Sequence, residues 1–150
     1  MLRVLSAGAP ACVTVTLLDG LVLARSVFHH SMNYRSAVIL GRGREVTDPR
    51  EKWNALEVIV KHVIPGRWSE ARHPSEGELA ATTVVAIPLD EASSKVRTGP
   101  PKDDEEDYAM SIWAGLLPLA IVPGNPVVDP RLNPGIDVPG YVAEYQRARC

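Results

Sequence analysis

The strongest constraint on this chain is an alternation of β-branched residues near its start, Val13 and Val15 against Thr14 and Thr16. Successive side chains of an extended chain point to opposite faces, so residues 11–17 are expected to form a strand with one aliphatic and one hydroxyl face. Asp19-Gly20 follows and reads as a turn, with residues 21–24 either a returning strand or an irregular apolar segment. Residues 34–46 read as a long strand interrupted by Gly41 and Gly43, where a bulge or close backbone approach is expected.

Between these runs lies Phe28-His29-His30-Ser31-Met32-Asn33, a polar stretch expected to be a loop. Residues 1–6 read as the last turns of a helix, with Gly8 as its stop. Thr47-Asp48-Pro49 is the clearest helix start: either Thr47 or Asp48 can cap, and Pro49 suits the first turn. Trp53, Leu56, Val60 and Val63 then recur at helical spacing up to Pro65-Gly66. Ser75 and Glu78 form a capping-box pattern for a second, short helix. Residues 82–89 read as a buried strand, 93–107 as a charged loop and 112–122 as a further strand. From Pro123 onward the prolines predict an extended tail. Strands joined by turns around one main helix indicate an α+β, mainly β fold of barrel type rather than a doubly wound sheet. The domain boundary is expected near residue 122, with 1–122 the folded domain and 123–150 a Pro-rich tail.

The chain has 150 residues and a net charge of −2, enough for one domain with a hydrophobic core and no basic field for nucleic acid. No apolar stretch is long enough to span a bilayer, and no signal-peptide pattern opens the sequence. Two cysteines, Cys12 and Cys150, read as a packed thiol and a terminal one rather than a disulfide framework, which suits a reducing, cytoplasmic setting.

Several chemistries lack their motifs. Gly41-Arg42-Gly43 is no dinucleotide fingerprint, and a nucleophile elbow is absent. His29-His30 would point to opposite faces of a strand, so no metal is expected there. Asp103-Asp104-Glu105-Glu106-Asp107 lacks the spacing and glycine of a calcium loop and reads as a solvated cluster, with Lys95, Arg97 and Lys102 as neighbours. Residues 31–36 gather hydroxyls, an amide, a phenol and a guanidinium, which suit either a ligand site or a turn satisfying its own backbone. Trp113, beside Gly115, reads as a core residue or as a wall for a flat ligand.

The stretches FHHSMNYRSAVILGRGREVTDPREKWNAL, KVRTGPPKDDEEDY and IWAGLLPL closely resemble the flavin-nucleotide-binding branch of the pyridoxamine 5′-phosphate oxidase-like superfamily. That branch is similar to the nitroimidazole-resistance reductases. The resemblance implies a split β-barrel that dimerises, with FMN in a groove between two subunits. It places residues 31–36 near the flavin, with Ser36 where pyridoxamine-phosphate oxidase has a flavin-contacting glutamine. Trp113 resembles the tryptophan before the family's late barrel strand, and Lys95 and Arg97 match the branch's pattern. His30, Ser31, Asn33, Tyr34, Arg35, Ser36, Lys95 and Trp113 are therefore the expected cofactor-binding residues. Family members usually begin with two more strands and a histidine-glycine segment. This chain is accordingly expected to lack the N-terminal strands of the barrel.

The resemblance implies an FMN-dependent oxidoreductase acting on a small molecule, in which His29 or His30 could donate a proton. The alternatives are a flavin-binding module without turnover and a non-functional truncated product. No C-terminal arginine-leucine-histidine pattern supports vitamin B6 oxidation.

Overall fold

In the computed structural model, which describes residues 2–146, the alternating run opens one long strand, β1 (Pro10–Leu23). Asp19-Gly20 does not turn the chain back. It makes a bulge, seen as a register shift between Leu18 and Gly20 against the next strand, β2 (Ser31–Arg42). The reason is a second neighbour. Beyond the bulge, residues 20–22 pair with both β2 and a late strand, β6 (Gly115–Pro118), Leu23 pairs with β6 alone, and the two ladders hold the backbone extended. A Cβ on Gly20 would stand 2.8 Å from Leu116 Cδ1 and 3.0 Å from the Leu117 carbonyl oxygen, so glycine permits this approach.

The chain gathers into two compact units. Residues 7–43 and 87–121 make one of them, built on a four-stranded antiparallel sheet in the order β5-β2-β1-β6. Strand β5 (Glu91–Arg97) takes up the start of the expected charged loop, residues 93–97. Its sequence EASSKVR carries little β propensity, and pairing along β2 from Tyr34–Arg97 to Leu40–Glu91 imposes the strand. The buried apolar residues of this unit are Val22 and Ala24, where β1 ends, and buried Asn33 lies close by on β2. The short 3₁₀ turn Val27–His29 links β1 to β2, so Ser31-Met32-Asn33 belongs to a strand and not to the expected loop. Cys12 is exposed on β1 rather than packed, and Cys150 lies outside the described residues.

The other unit holds residues 1–6, 44–86 and 122–150. Helix α1 (Leu2–Ser6) opens it, and the strand expected to run through residue 46 breaks at Gly43 into a separate β3 (Arg44–Glu45). Helix α2 (Pro49–Val63) starts as its sequence predicts: Asp48 accepts the Glu51 N–H at 2.7 Å, and Pro49 takes the first position. A single-turn helix, α3 (Arg67–Glu70), was not expected. It carries Trp68, which meets Trp53 edge-on at 5.5 Å and stacks on His73 at 4.8 Å. Helix α4 (Glu76–Ala81) has both halves of the capping box formed by Ser75 and Glu78. The expected strand over 82–89 shrinks to β4 (Val85–Ala86) beside β3, because Pro88 has no N–H for a ladder. Val46 donates its N–H to the Val84 carbonyl at 2.9 Å and is buried. The proline-rich stretch forms no helix or strand until α5 (Gly140–Ala143).

The result is an α+β, mainly β fold whose four-stranded sheet is open, not a closed barrel. No described helix is long and apolar enough to cross a membrane.

Candidate flavin-binding surface

All eight expected site residues lie in the unit built on the four-stranded sheet. The register divides them. Ser36 pairs with Thr16 on one side and Lys95 on the other, and Tyr34 pairs with Leu18 and Arg97. Side chains directly opposite in an antiparallel pair share a face, so Thr16, Tyr34, Ser36 and Lys95 stand together. The Thr16 and Ser36 hydroxyls lie 2.8 Å apart in a hydrogen bond. This is the hydroxyl face that the β1 alternation predicts, extended by an ammonium from β5.

Asn33 and Arg35 belong to the opposite parity. Arg35 grips Asp19 through two bonds, Nε to Oδ2 at 3.0 Å and Nη2 to Oδ1 at 2.9 Å. That guanidinium holds the Asp19 carboxyl below its ordinary value. Asn33 is buried and spends its amide on the chain: Nδ2 donates to the Gly99 carbonyl at 3.0 Å, and Oδ1 accepts from Arg97 Nη1 at 2.8 Å. Both residues brace the sheet between β2 and its neighbours.

His30 and Ser31 on one side of β1, and Trp113 before β6 on the other, flank its far end. Val22 pairs with Ser31 on β2 and with Leu116 on β6, and Trp113 stands three residues before Leu116. The Trp113 indole is 69% exposed. A Cβ at Gly115 would meet its ring at 2.9 Å, so the small residue leaves the indole room to lie flat. His30 Nδ1 is 3.3 Å from the Ala24 N–H and 3.1 Å from the Ser26 carbonyl oxygen. It accepts from the first when unprotonated at Nδ1 and donates to the second when protonated there.

The loop before His30 is held by a residue not expected to matter. Asp103 has no exposed side-chain surface and belongs to no solvated cluster. Its Oδ1 accepts the N–H groups of Arg25 at 2.9 Å and Ser26 at 3.2 Å, and Oδ2 accepts Arg25 Nη1 at 3.1 Å. Burial pushes the Asp103 carboxyl up, but these N–H donors and the guanidinium outweigh it and hold it below the ordinary value. The Tyr108 ring covers the Arg25 guanidinium at 4.8 Å. Arg25 Nε is buried without a hydrogen-bond partner among the described residues. Nothing local in the sequence pairs residues 78 positions apart. Next to the clamp, His29 Nε2 lies 3.3 Å from Asp104 Oδ2, and His29, Asp104 and Asp107 bring one ligand atom each within 4.8 Å of one another.

Residues 1–96 match the family described as pyridoxamine 5′-phosphate oxidase. The chain belongs to the pyridoxamine 5′-phosphate oxidase family. No curated protein matches it. Among solved structures, the flavocytochrome Anf3 from Azotobacter vinelandii is 40% identical, with a TM-score of 0.89 over 98% of this chain and 68% of its own. The FAD and haem binding protein from Mycobacterium smegmatis is 41% identical, with a TM-score of 0.88 over 95% of this chain and 70% of its own. The family assignment makes the open sheet part of a split barrel.

The residues present suit a flavin. An isoalloxazine ring is flat, with carbonyl and ring-nitrogen acceptors along one edge. The paired Thr16 and Ser36 hydroxyls, the Lys95 ammonium and the Tyr34 phenol supply donors on one face. The exposed Trp113 indole supplies an apolar plane.

Proposed function

We propose that the chain is a flavin-binding redox protein, an oxidoreductase acting on a small molecule, that works as a homodimer. The observation that carries this reading is 40–41% identity to two proteins described as flavin-containing, over 95–98% of the chain. Flavin, when bound, supplies hydride or single-electron transfer, and the protein's part is to bind and orient it. Ser36, Lys95 and Tyr34 would donate to its polar edge, and Trp113 would wall its apolar side. Asn33 and Arg35 would act behind these, keeping β2 in register. His30, which keeps a proton on one nitrogen or the other in either of its two bonding arrangements, is the group that could pass a proton to a reduced substrate.

The family resemblance favours FMN. The Mycobacterium smegmatis relative, described as binding FAD, favours the dinucleotide. One experiment tests both. The purified protein is examined by visible absorbance as isolated and after addition of FMN or FAD, and bound flavin is released and identified by chromatography. Flavin bands are expected, and the released nucleotide decides between FMN and FAD. Protein that stays colourless with both flavins in excess would remove the assignment. Flavin binding without reduction of any quinone or nitroaromatic would leave a binding module rather than an enzyme.

A further inference from the structure

Two short 3₁₀ turns meet beside the Asp103 clamp, and each presents metal-ligating groups to the other. The first is Val27–His29, and the second is Glu105–Ala109, with Asp104 at its N-cap. Both lie in the unit built on the four-stranded sheet. Side chains three residues apart eclipse on a 3₁₀ turn, so Asp104 and Asp107 carry their carboxylates on one side. The Asp107 N–H donates to the Asp104 carbonyl at 2.9 Å, which fixes that spacing. An aspartate at an N-cap ordinarily spends its carboxylate on a backbone N–H of the turn. Asp104 does not, and its Oδ2 stands 3.3 Å from His29 Nε2 instead.

We propose that His29, Asp104 and Asp107 form a site for one zinc-type divalent ion, with water completing the coordination. The expectation against a metal at His29-His30 assumes a strand with the two rings on opposite faces. His29 instead ends a turn, and its partners come from residues 104 and 107. One imidazole nitrogen and two carboxylate oxygens make a donor set that zinc accepts, with a fourth position open to water. Calcium and magnesium fit less well, because they call for shells made of oxygen donors.

The spacing supports an ion over a bare ion pair. A charge-assisted N–H···O bond closes to about 2.7–2.9 Å, and the His29–Asp104 contact is wider than that. Two ligands of a tetrahedral zinc ion, each about 2.0–2.1 Å from it, stand roughly 3.4 Å apart. The ligand atom of Asp107 lies within 4.8 Å of the other two, and rotation about its side-chain bonds closes the remaining gap. Among the described residues no lysine or arginine pairs with either carboxylate, so an ion would meet charge that no fixed cation of the protein meets.

The two turns are also tied together without the ion. Asp103, next to one ligand, accepts the N–H groups of Arg25 and Ser26, and Tyr108, next to another, covers the Arg25 guanidinium. Ligands 75 residues apart in sequence are thereby held in place before any ion arrives. The Asp104 side chain is 73% exposed, which leaves an entry path and room for water. An ion here would fasten the turn that leads into His30 and Ser31. A metal on His29 also leaves His30 as the histidine of the pair able to move a proton.

Isothermal titration of the full chain with zinc chloride, after chelator treatment and dialysis, tests the site. One ion is expected to bind per chain. Asp104→Asn removes a largely exposed carboxylate that caps nothing. It is expected to weaken binding at least about tenfold with an unchanged far-ultraviolet circular dichroism spectrum. His29→Ala is expected to do the same, and zinc should raise the Tm of the wild type but of neither variant. His62→Ala, at an exposed histidine of the other unit, is expected to leave the affinity unchanged. No binding by the wild type, or binding indifferent to Asp104→Asn and His29→Ala, would overturn the site. Binding lost with Cys12→Ser instead would put the ion on that exposed thiol and overturn the site equally.

Discussion

Asp103 accepts the backbone N–H of Arg25 at 2.9 Å and binds its guanidinium at 3.1 Å, so one buried carboxylate fixes both the main chain and the side chain of the same residue. The Ser26 N–H adds a third bond at 3.2 Å. These bonds set the start of the 3₁₀ turn whose tip, Val27 and Phe28, is almost fully exposed and which leads directly into His30 and Ser31.

Removing the carboxylate leaves two N–H groups without an acceptor and Arg25 without its anion. Asp103→Ala is expected to lower Tm by about 5 °C or more. Asp103→Asn keeps an oxygen for the two N–H groups and is expected to cost less than half of that. Thermal unfolding followed by circular dichroism measures both. Equal Tm values for wild type and Asp103→Ala would show that the loop is held by something else.

At the bulge, the expected effect is steric. Gly20→Ala sets a methyl group against the Leu117 carbonyl, which belongs to a paired strand and cannot swing aside as a side-chain tip can. Destabilisation of about 1–3 kcal/mol is expected, measured by urea unfolding. Gly115→Ala is the contrast. The three atoms nearest its new methyl all belong to the side chain of Trp113, an exposed residue, so tryptophan fluorescence should change with little loss of stability.

These two glycines also mark what the sequence could and could not tell. The alternation at Val13–Thr16 and the caps at Asp48 and Ser75 are local signals, and they produced β1, α2 and α4 because neighbouring residues decide them. Asp19-Gly20 is the same dipeptide in a hairpin or in a bulge. Only the arrival of β6, almost a hundred residues later, selects the bulge. Strand β5 was hidden because β2, not its own composition, makes it a strand. The site divides in the same way. The density of polar groups at residues 31–36 was legible, but which of them face one side depended on register, and the Asp103 clamp depended on a contact with no sequence signature.

That division by face makes a prediction about flavin. Lys95→Met removes a charged donor from the hydroxyl face and is expected to weaken flavin binding by about tenfold or more. Arg35→Lys instead breaks a two-bond grip on Asp19 on the other face. It is expected to lower Tm slightly and leave flavin affinity within about twofold. Titration of the stripped protein, followed by quenching of flavin fluorescence, measures both. The reverse ranking would place the ring against the Arg35 face.

Acid should weaken the fold through a group in the unit that does not carry the flavin surface. Glu78 is held down to about 2, from an ordinary 4.5, first by Arg72 and then by the Ser75 N–H and hydroxyl. Arg72 reaches its two oxygens at 2.8 and 2.9 Å, and the Ser75 N–H donates at 2.7 Å. The folded-state value lies below the unfolded one, so the stabilisation is complete above about pH 4.5 and is lost as pH falls towards 2. The lowered carboxyls of Glu51, beside Arg44, and of Asp19 and Asp103 add to the same acid limb. Glu78→Gln carries no titrating group there. Its Tm is expected to start below wild type at pH 6, fall less steeply between pH 4.5 and 2, and meet the wild-type curve near pH 2. Because both partners are largely exposed, the gap at pH 6 should narrow in 1 M salt. Parallel curves for the two proteins across that window would mean that the Arg72–Glu78 pair does not hold its geometry in solution.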